Sequence, residues 1–229
     1  MSAAPAHRRP LVLVTSFEAF GGSTVNPTIA IARALAEMPC GLGARAYATL
    51  PVVTGTGPGS AWTAVEPLLD ALRPDAVVAL GESAKADRIN LERVAVNLRD
   101  ARIADNAGVQ LVDAPVVAGG PDAYFGTLPV REMLASCESA GVAVQCSMSA
   151  GTFLCNELMY RLLHRAAPRG GAAGAGVGAG FIAGFIHVPQ LPEQAEVRGG
   201  PSMDAATSAR GVHAALEVLA ARIATGVLA

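Results

Sequence analysis

Short apolar runs alternate with amphipathic stretches along most of this chain, and that alternation sets the expected elements. Residues 11–15 and 76–80 are apolar almost throughout and bounded by turn formers, as are 142–146 and 181–188. Runs of this kind suit strands buried on both faces. Residues 44–50 read as a further strand, stopped by Pro51. Between the strands the apolar positions recur at helical spacing. One helix starts at Asn26-Pro27, with proline at its first position, and runs through Ile29, Ile31, Ala34 and Leu35 to about Met38. A second spans 61–72, with Pro67 as a kink, and a third spans 130–140, closed by Gly141. A fourth follows Thr152 as its cap and runs through Phe153, Leu154, Leu158, Met159, Leu162 and Leu163. The last covers 202–223. Residues 89–98 read as a strand or extended arm, and 113–129 as a long loop.

Apolar strands alternating with helices predict an α/β domain with a mostly parallel sheet. One domain over 11–229 is expected, with 1–10 frayed and the Gly/Ala-rich stretch 168–180 a flexible surface insertion. Composition narrows the function without naming it. The chain has 229 residues, 52% of them hydrophobic and 16% charged, with a net charge of −2. The pI is about 6.1 and the mean hydropathy +0.40. Without a basic block, a nucleic-acid partner is not expected. No apolar run approaches the length needed to span a bilayer, and the N-terminus lacks the apolar core of an export signal. Cys40, Cys137, Cys146 and Cys155 show no CxxC pair and no Cys/His spacing for a metal. Reduced thiols in a cytoplasm follow as the expectation.

Phosphate binding by the loop at 16–27 is set aside. Its Gly21-Gly22 pair has neither the GxGxxG nor the GK[ST] pattern. The chemistry gathers elsewhere. In open α/β sheets, sites form beyond the C-terminal strand ends. Phe17, Glu82, Cys155 and His187 all fall at or just past predicted strand ends. Cys155 lies in the first turn of its helix, where free N–H groups and the helix dipole favour an anion and hence a thiolate. Read alone, it is as readily a small buried apolar side chain. Among the four histidines, His187 follows an apolar strand and precedes Val188-Pro189, so it is the preferred base. Glu92 is a carboxylate inside an apolar segment and needs a partner there: His187, Arg93 or Arg88. Arg99 and Arg102 could face an oxyanion or a thiolate, or simply water.

Four segments together resemble the type I pyroglutamyl peptidases, also called pyrrolidone carboxyl peptidases. They are Val14-Thr-Ser-Phe-Glu-Ala-Phe-Gly-Gly-Ser-Thr-Val-Asn-Pro27; Leu91-Glu-Arg-Val-Ala-Val-Asn97 with Ala101-Arg-Ile-Ala-Asp-Asn106; Ser147-Met-Ser-Ala-Gly-Thr-Phe-Leu-Cys-Asn156; and Gly184-Phe-Ile-His-Val-Pro189. The resemblance implies a single-domain three-layer α/β/α sandwich and a cysteine peptidase that removes an N-terminal 5-oxoproline, with no metal or organic cofactor. It implies Cys155 as nucleophile, His187 as base and Glu92 as the residue orienting the histidine. Arg102 matches an arginine near the reaction centre. Phe17, Phe20 and Phe153 match aromatics of the lactam pocket, with Leu154 in the same wall. A homotetramer or dimer is the implied assembly. Segment 81–88, Gly-Glu-Ser-Ala-Lys-Ala-Asp-Arg, departs from the glycine-rich family pattern. There Glu82 is expected beside the lactam pocket, adding a negative charge. That departure keeps open a different cyclic amide or amidated small molecule as substrate, and a non-catalytic binding module is a third reading.

Overall fold

The computed structural model describes residues 9–167 and 180–226. Residues 1–8 of the stretch expected to fray and 168–179 of the Gly/Ala insertion lie outside the described residues, whereas Pro10 is buried and its carbonyl accepts the Ala44 N–H. In chain order the elements are β1 (Leu11–Phe17), α1 (Pro27–Glu37), β2 (Ala44–Leu50), α2 (Ala61–Leu72), β3 (Ala76–Glu82), β4 (Ile89–Glu92) and β5 (Val94–Val96). There follow β6 (Ala123–Phe125), α3 (Val130–Ser139), β7 (Val144–Ser147), α4 (Leu154–Ala166), β8 (Ile182–Val188), α5 (Pro192–Arg198) and α6 (Ala205–Thr225).

Six strands form one sheet in the order β2-β1-β3-β8-β4-β7, and β5 with β6 forms a separate two-stranded ribbon. Strands β2, β1, β3 and β8 run parallel. Strand β4 is antiparallel to β8, and β7 runs parallel to β4. Helices α1, α3 and α6 cover one face through Ile31, Leu35, Met133, Val212 and Leu216. Helices α2 and α4 cover the other through Val65, Leu69, Leu158 and Leu162. The result is the expected three-layer α/β/α sandwich with a mostly parallel sheet.

Strand alternation sorts the two cores. In β3, Val78 and Leu80 face the first layer, whereas Val77 and Ala79 face the second. With both faces covered, β3 and β8 are buried along their whole length. This explains why they read as continuous apolar runs. Pro67 is accommodated inside α2, and Ser60 caps that helix by accepting the Thr63 N–H.

Candidate active site

Glu92 and His187 meet because their strands are antiparallel neighbours. The register pairs Asn90 with His187, which puts Glu92, two residues on, diagonally across on the same face. The contact is a hydrogen bond of 2.8 Å between His187 Nδ1 and Glu92 Oε1. Glu92 is 1% exposed and His187 8%. Of the three partners open to Glu92 in the sequence, the histidine is the one engaged. Arg88 pairs with Asp87 instead, and Arg93 lies over the Phe125 ring.

Cys155 arrives by a different route. It follows β7, which runs against β8, so the chain must return before helix α4 begins. Residues 148–153 make that return, with Gly151 at a positive φ of 77° that favours glycine. Thr152 does not cap the helix. The N-cap is Phe153, with no side-chain cap bond, and the Thr152 hydroxyl donates to the Asp100 carbonyl at 2.8 Å. The first-turn N–H groups therefore have no capping side chain beside the half-buried Cys155.

The sulfur and the imidazole interact. Burial alone would push the His187 pKa down, but the negative charge and hydrogen bond of Cys155, then those of Glu92, raise it to about 10. At neutral pH the imidazole is therefore held as a cation. Phe185 packs on it with ring centroids 4.8 Å apart, and Phe17 stacks on Phe185 at 6.5 Å.

Gly81 makes room for this arrangement. A Cβ there would lie 2.6 Å from two atoms of the Phe185 ring and 3.0 Å from the Cys155 Sγ. Gly81→Ala is therefore expected to displace the ring and the sulfur and to cut turnover about tenfold or more, with a modest loss of stability. Steady-state kinetics and a melting curve check it; unchanged kcat/KM would mean that the sulfur does not need this space.

The remaining candidates are distributed around this centre. Phe20 and Phe153 face each other with centroids 6.4 Å apart. Leu154 is buried in the α2/α4 core. Phe17, expected at or just past a strand end, is the last residue of β1 and 3% exposed. Arg102 is exposed in the segment between β5 and β6. Glu82 is not brought to the sulfur. Alternation along β3 turns it to the face opposite Gly81, where its carboxylate binds Arg198 at 2.7 Å and Gln194 at 3.1 Å. His164 bonds the Tyr124 hydroxyl, and His213 contacts Arg45. Among the described residues no group of three or more His, Cys, Asp or Glu could hold a metal ion.

Residues beside the motifs fix the site's loops. Asn156 is wholly buried; its side chain accepts the Val96 N–H and donates to the Val96 and Leu98 carbonyls. Glu157, also buried, accepts from Gly55 N at 3.0 Å and Arg161 Nε at 2.9 Å. Asp105 accepts from Thr54, Ala107 and Val109. Burial would raise its pKa, but the hydrogen bonds led by Thr54 and Val109 outweigh it and hold the carboxyl below the usual range. Asn106 Nδ2 donates to the Ala19 carbonyl at 2.9 Å. One cue was in the sequence: Asn156 and Glu157 are adjacent polar positions in the first turn of a helix, between the apolar Leu154 and Leu158.

The family model for pyroglutamyl peptidase matches residues 11–222. The chain belongs to the pyroglutamyl peptidase family. It is similar to the pyrrolidone-carboxylate peptidase of Gloeobacter violaceus, 44% identical over 91% of this chain and 96% of that one. The same-named protein of Cupriavidus necator is 42% identical, over 90% of each. Among solved structures, pyroglutamyl peptidase I from Bacillus amyloliquefaciens superimposes with a TM-score of 0.84 at 30% identity, covering 93% of this chain and 96% of that one. A mutant pyrrolidone carboxyl peptidase from Pyrococcus furiosus gives 0.82 at 37% identity, covering 93% and 99%. Family membership fits both the three-layer fold and the cysteine, histidine and glutamate found together.

Proposed function

We propose that this chain is a cysteine peptidase of the omega type, cleaving the amide bond after an N-terminal pyroglutamyl residue with Cys155, His187 and Glu92. The observation that carries the reading is a buried imidazole with a carboxylate at 2.8 Å on one nitrogen and a half-buried sulfur as its other partner. Such a relay suits acyl transfer. The Cys155 thiolate attacks the pyroglutamyl carbonyl carbon. The negative oxygen that forms is met by N–H groups at the start of α4, with Arg102 as a further cationic partner. His187 passes its Nε2 proton to the leaving amine as the C–N bond breaks, leaving a thioester. Water, deprotonated by His187, then adds to the thioester, and the C–S bond breaks to release pyroglutamate and restore the thiolate beside the protonated histidine. Glu92 holds the ring through Nδ1 and balances its charge.

The substrate reading rests on the aromatic walls. Phe20 and Phe153, half-buried and 6.4 Å apart, offer apolar walls to an uncharged lactam and no counter-ion to a free α-amine, and Phe17 and Leu154 are buried in the core they pack against. The negative charge at Glu82, which motivated a different amide substrate, is answered by Arg198 and faces away from Cys155. A pyroglutamyl-linked dye is therefore expected to be hydrolysed at least about a hundredfold faster than the prolyl analogue, whose ammonium must be desolvated. Equal rates on the two would overturn the specificity. Reduced thiols are required, and Cys40, Cys137, Cys146 and Cys155 are all free, which suits a cytoplasmic enzyme. Assembly as a dimer or tetramer belongs to the same proposal, with Phe125 and Met148 exposed at 66% and 63%. Light scattering of the purified protein tests it.

A further inference from the structure

The least expected residue near the site is Glu82, a carboxylate at the end of a fully buried strand. Its side chain is 1% exposed, against 31% for Arg198. A buried carboxylate without partners is costly, and removing one partner from such a pair is costly too. The two partners here, Arg198 and Gln194, both lie on α5. This seven-residue helix is held at its far end by Gln190, whose Nε2 donates to the carbonyls of Gly199 at 2.7 Å and Pro201 at 3.0 Å.

Gln194 has a second set of contacts. Its Nε2 lies 3.3 Å from Ser23 Oγ and 3.4 Å from the Val25 carbonyl, while its Oε1 accepts the Leu191 N–H. An amide nitrogen carries only two hydrogens. The charged acceptor, Glu82, is the closest of its three at 3.1 Å and so orients the group. Ser23 and Val25 belong to the loop at 18–26, which carries Phe20 against Phe153, two residues before Cys155.

We propose that Glu82 and Arg198, acting through Gln194, form a clamp that fixes the 18–26 loop and so places the Phe20 wall of the pocket. All three are positioning residues for substrate affinity, and none is assigned to bond making. This inference rests on the pyroglutamyl reading for its kinetic arm only. It also accounts for the charged residue in a segment that departs from the family pattern: Glu82 fastens α5 to the end of β3.

The test compares the intact enzyme with Arg198→Gln, Glu82→Gln and the double variant, using a pyroglutamyl-linked dye and hydrogen exchange of peptides covering 18–26. Arg198→Gln leaves Glu82 without its cation. It is expected to raise KM about tenfold while kcat stays within about twofold, because the chemistry is untouched. Exchange in 18–26 should quicken about fivefold or more. The double variant, which puts two amides in place of the ion pair, should recover most of both effects. A folded Arg198→Gln enzyme with unchanged KM and unchanged exchange overturns the clamp, as does a fall in kcat at constant KM. If the intact enzyme releases no dye, the pyroglutamyl reading fails, while the exchange comparison still decides the clamp.

Discussion

Cys155→Ala is expected to remove at least about 10⁴ of the turnover of a pyroglutamyl amide, since a covalent route without its nucleophile leaves only binding and oxyanion stabilisation. The variant should fold normally, because the half-buried sulfur contributes little packing. It should also change the histidine. The charge and hydrogen bond of Cys155 lead the influences that raise His187 to about 10 against burial. Without the sulfur, the imidazole should titrate well below that value, which NMR of the ring protons reads directly. Cys146 is exposed and Cys40 half-buried, and neither belongs to the site; replacing either should leave turnover unchanged. Retained activity in Cys155→Ala would remove the mechanism, and an unmoved His187 would remove the pairing behind it.

Glu92→Gln carries the second large effect. The substitution keeps the shape of a side chain that is 1% exposed but withdraws the anion from His187 Nδ1. Turnover is expected to fall about 10²- to 10⁴-fold, as when the orienting acid of a relay is made neutral. The pH dependence of stability should change with it. The folded pKa of His187 is raised above its ordinary value of 6.5 to about 10. The resulting stabilisation is therefore full below about 6.5 and fades as pH rises through about 10. Losing the Glu92 anion lowers the folded pKa, so the variant should lose stability chiefly on the neutral and acid side of that window. Melting curves across pH check this. A turnover within twofold of the unaltered enzyme would assign Glu92 a packing role alone.

The sheet and most helices were legible because burial on both faces writes itself into the chain as apolar runs. Residues 44–50 and 61–72 were read with the bounds the structure has. The site was legible as residue types but less so as geometry. Glu92 was read inside one arm over 89–98, yet the arm breaks at Arg93 into β4 and β5, which belong to different sheets. Periodicity carries no direction, so the antiparallel entry of β4 and β7 left no trace in the sequence. That entry, rather than a shared strand edge, is what brings Glu92 to His187.

Short elements were lost for a related reason. The three residues of β6 and the seven of α5 are too few to establish a period. Missing α5 meant missing Arg198 and Gln194, the partners of the charge that Glu82 was expected to add beside the pocket. Phe17 lies outside the apolar run 11–15 because its neighbours are polar and glycine-rich, although β1 extends two residues beyond that run and buries it. Thr152 had the identity of a cap but spends its hydroxyl on Asp100, a contact across the fold that local pattern cannot contain.

The central claim is a covalent one, and trapping tests it most directly. The enzyme would be mixed with a pyroglutamyl amide, quenched in acid during turnover, digested and examined by mass spectrometry. A pyroglutamyl group in thioester linkage on the peptide bearing Cys155, absent when hydroxylamine is added, is the predicted result. Continued turnover with that peptide unmodified at every quench time, or the acyl group found on another residue, would contradict the account.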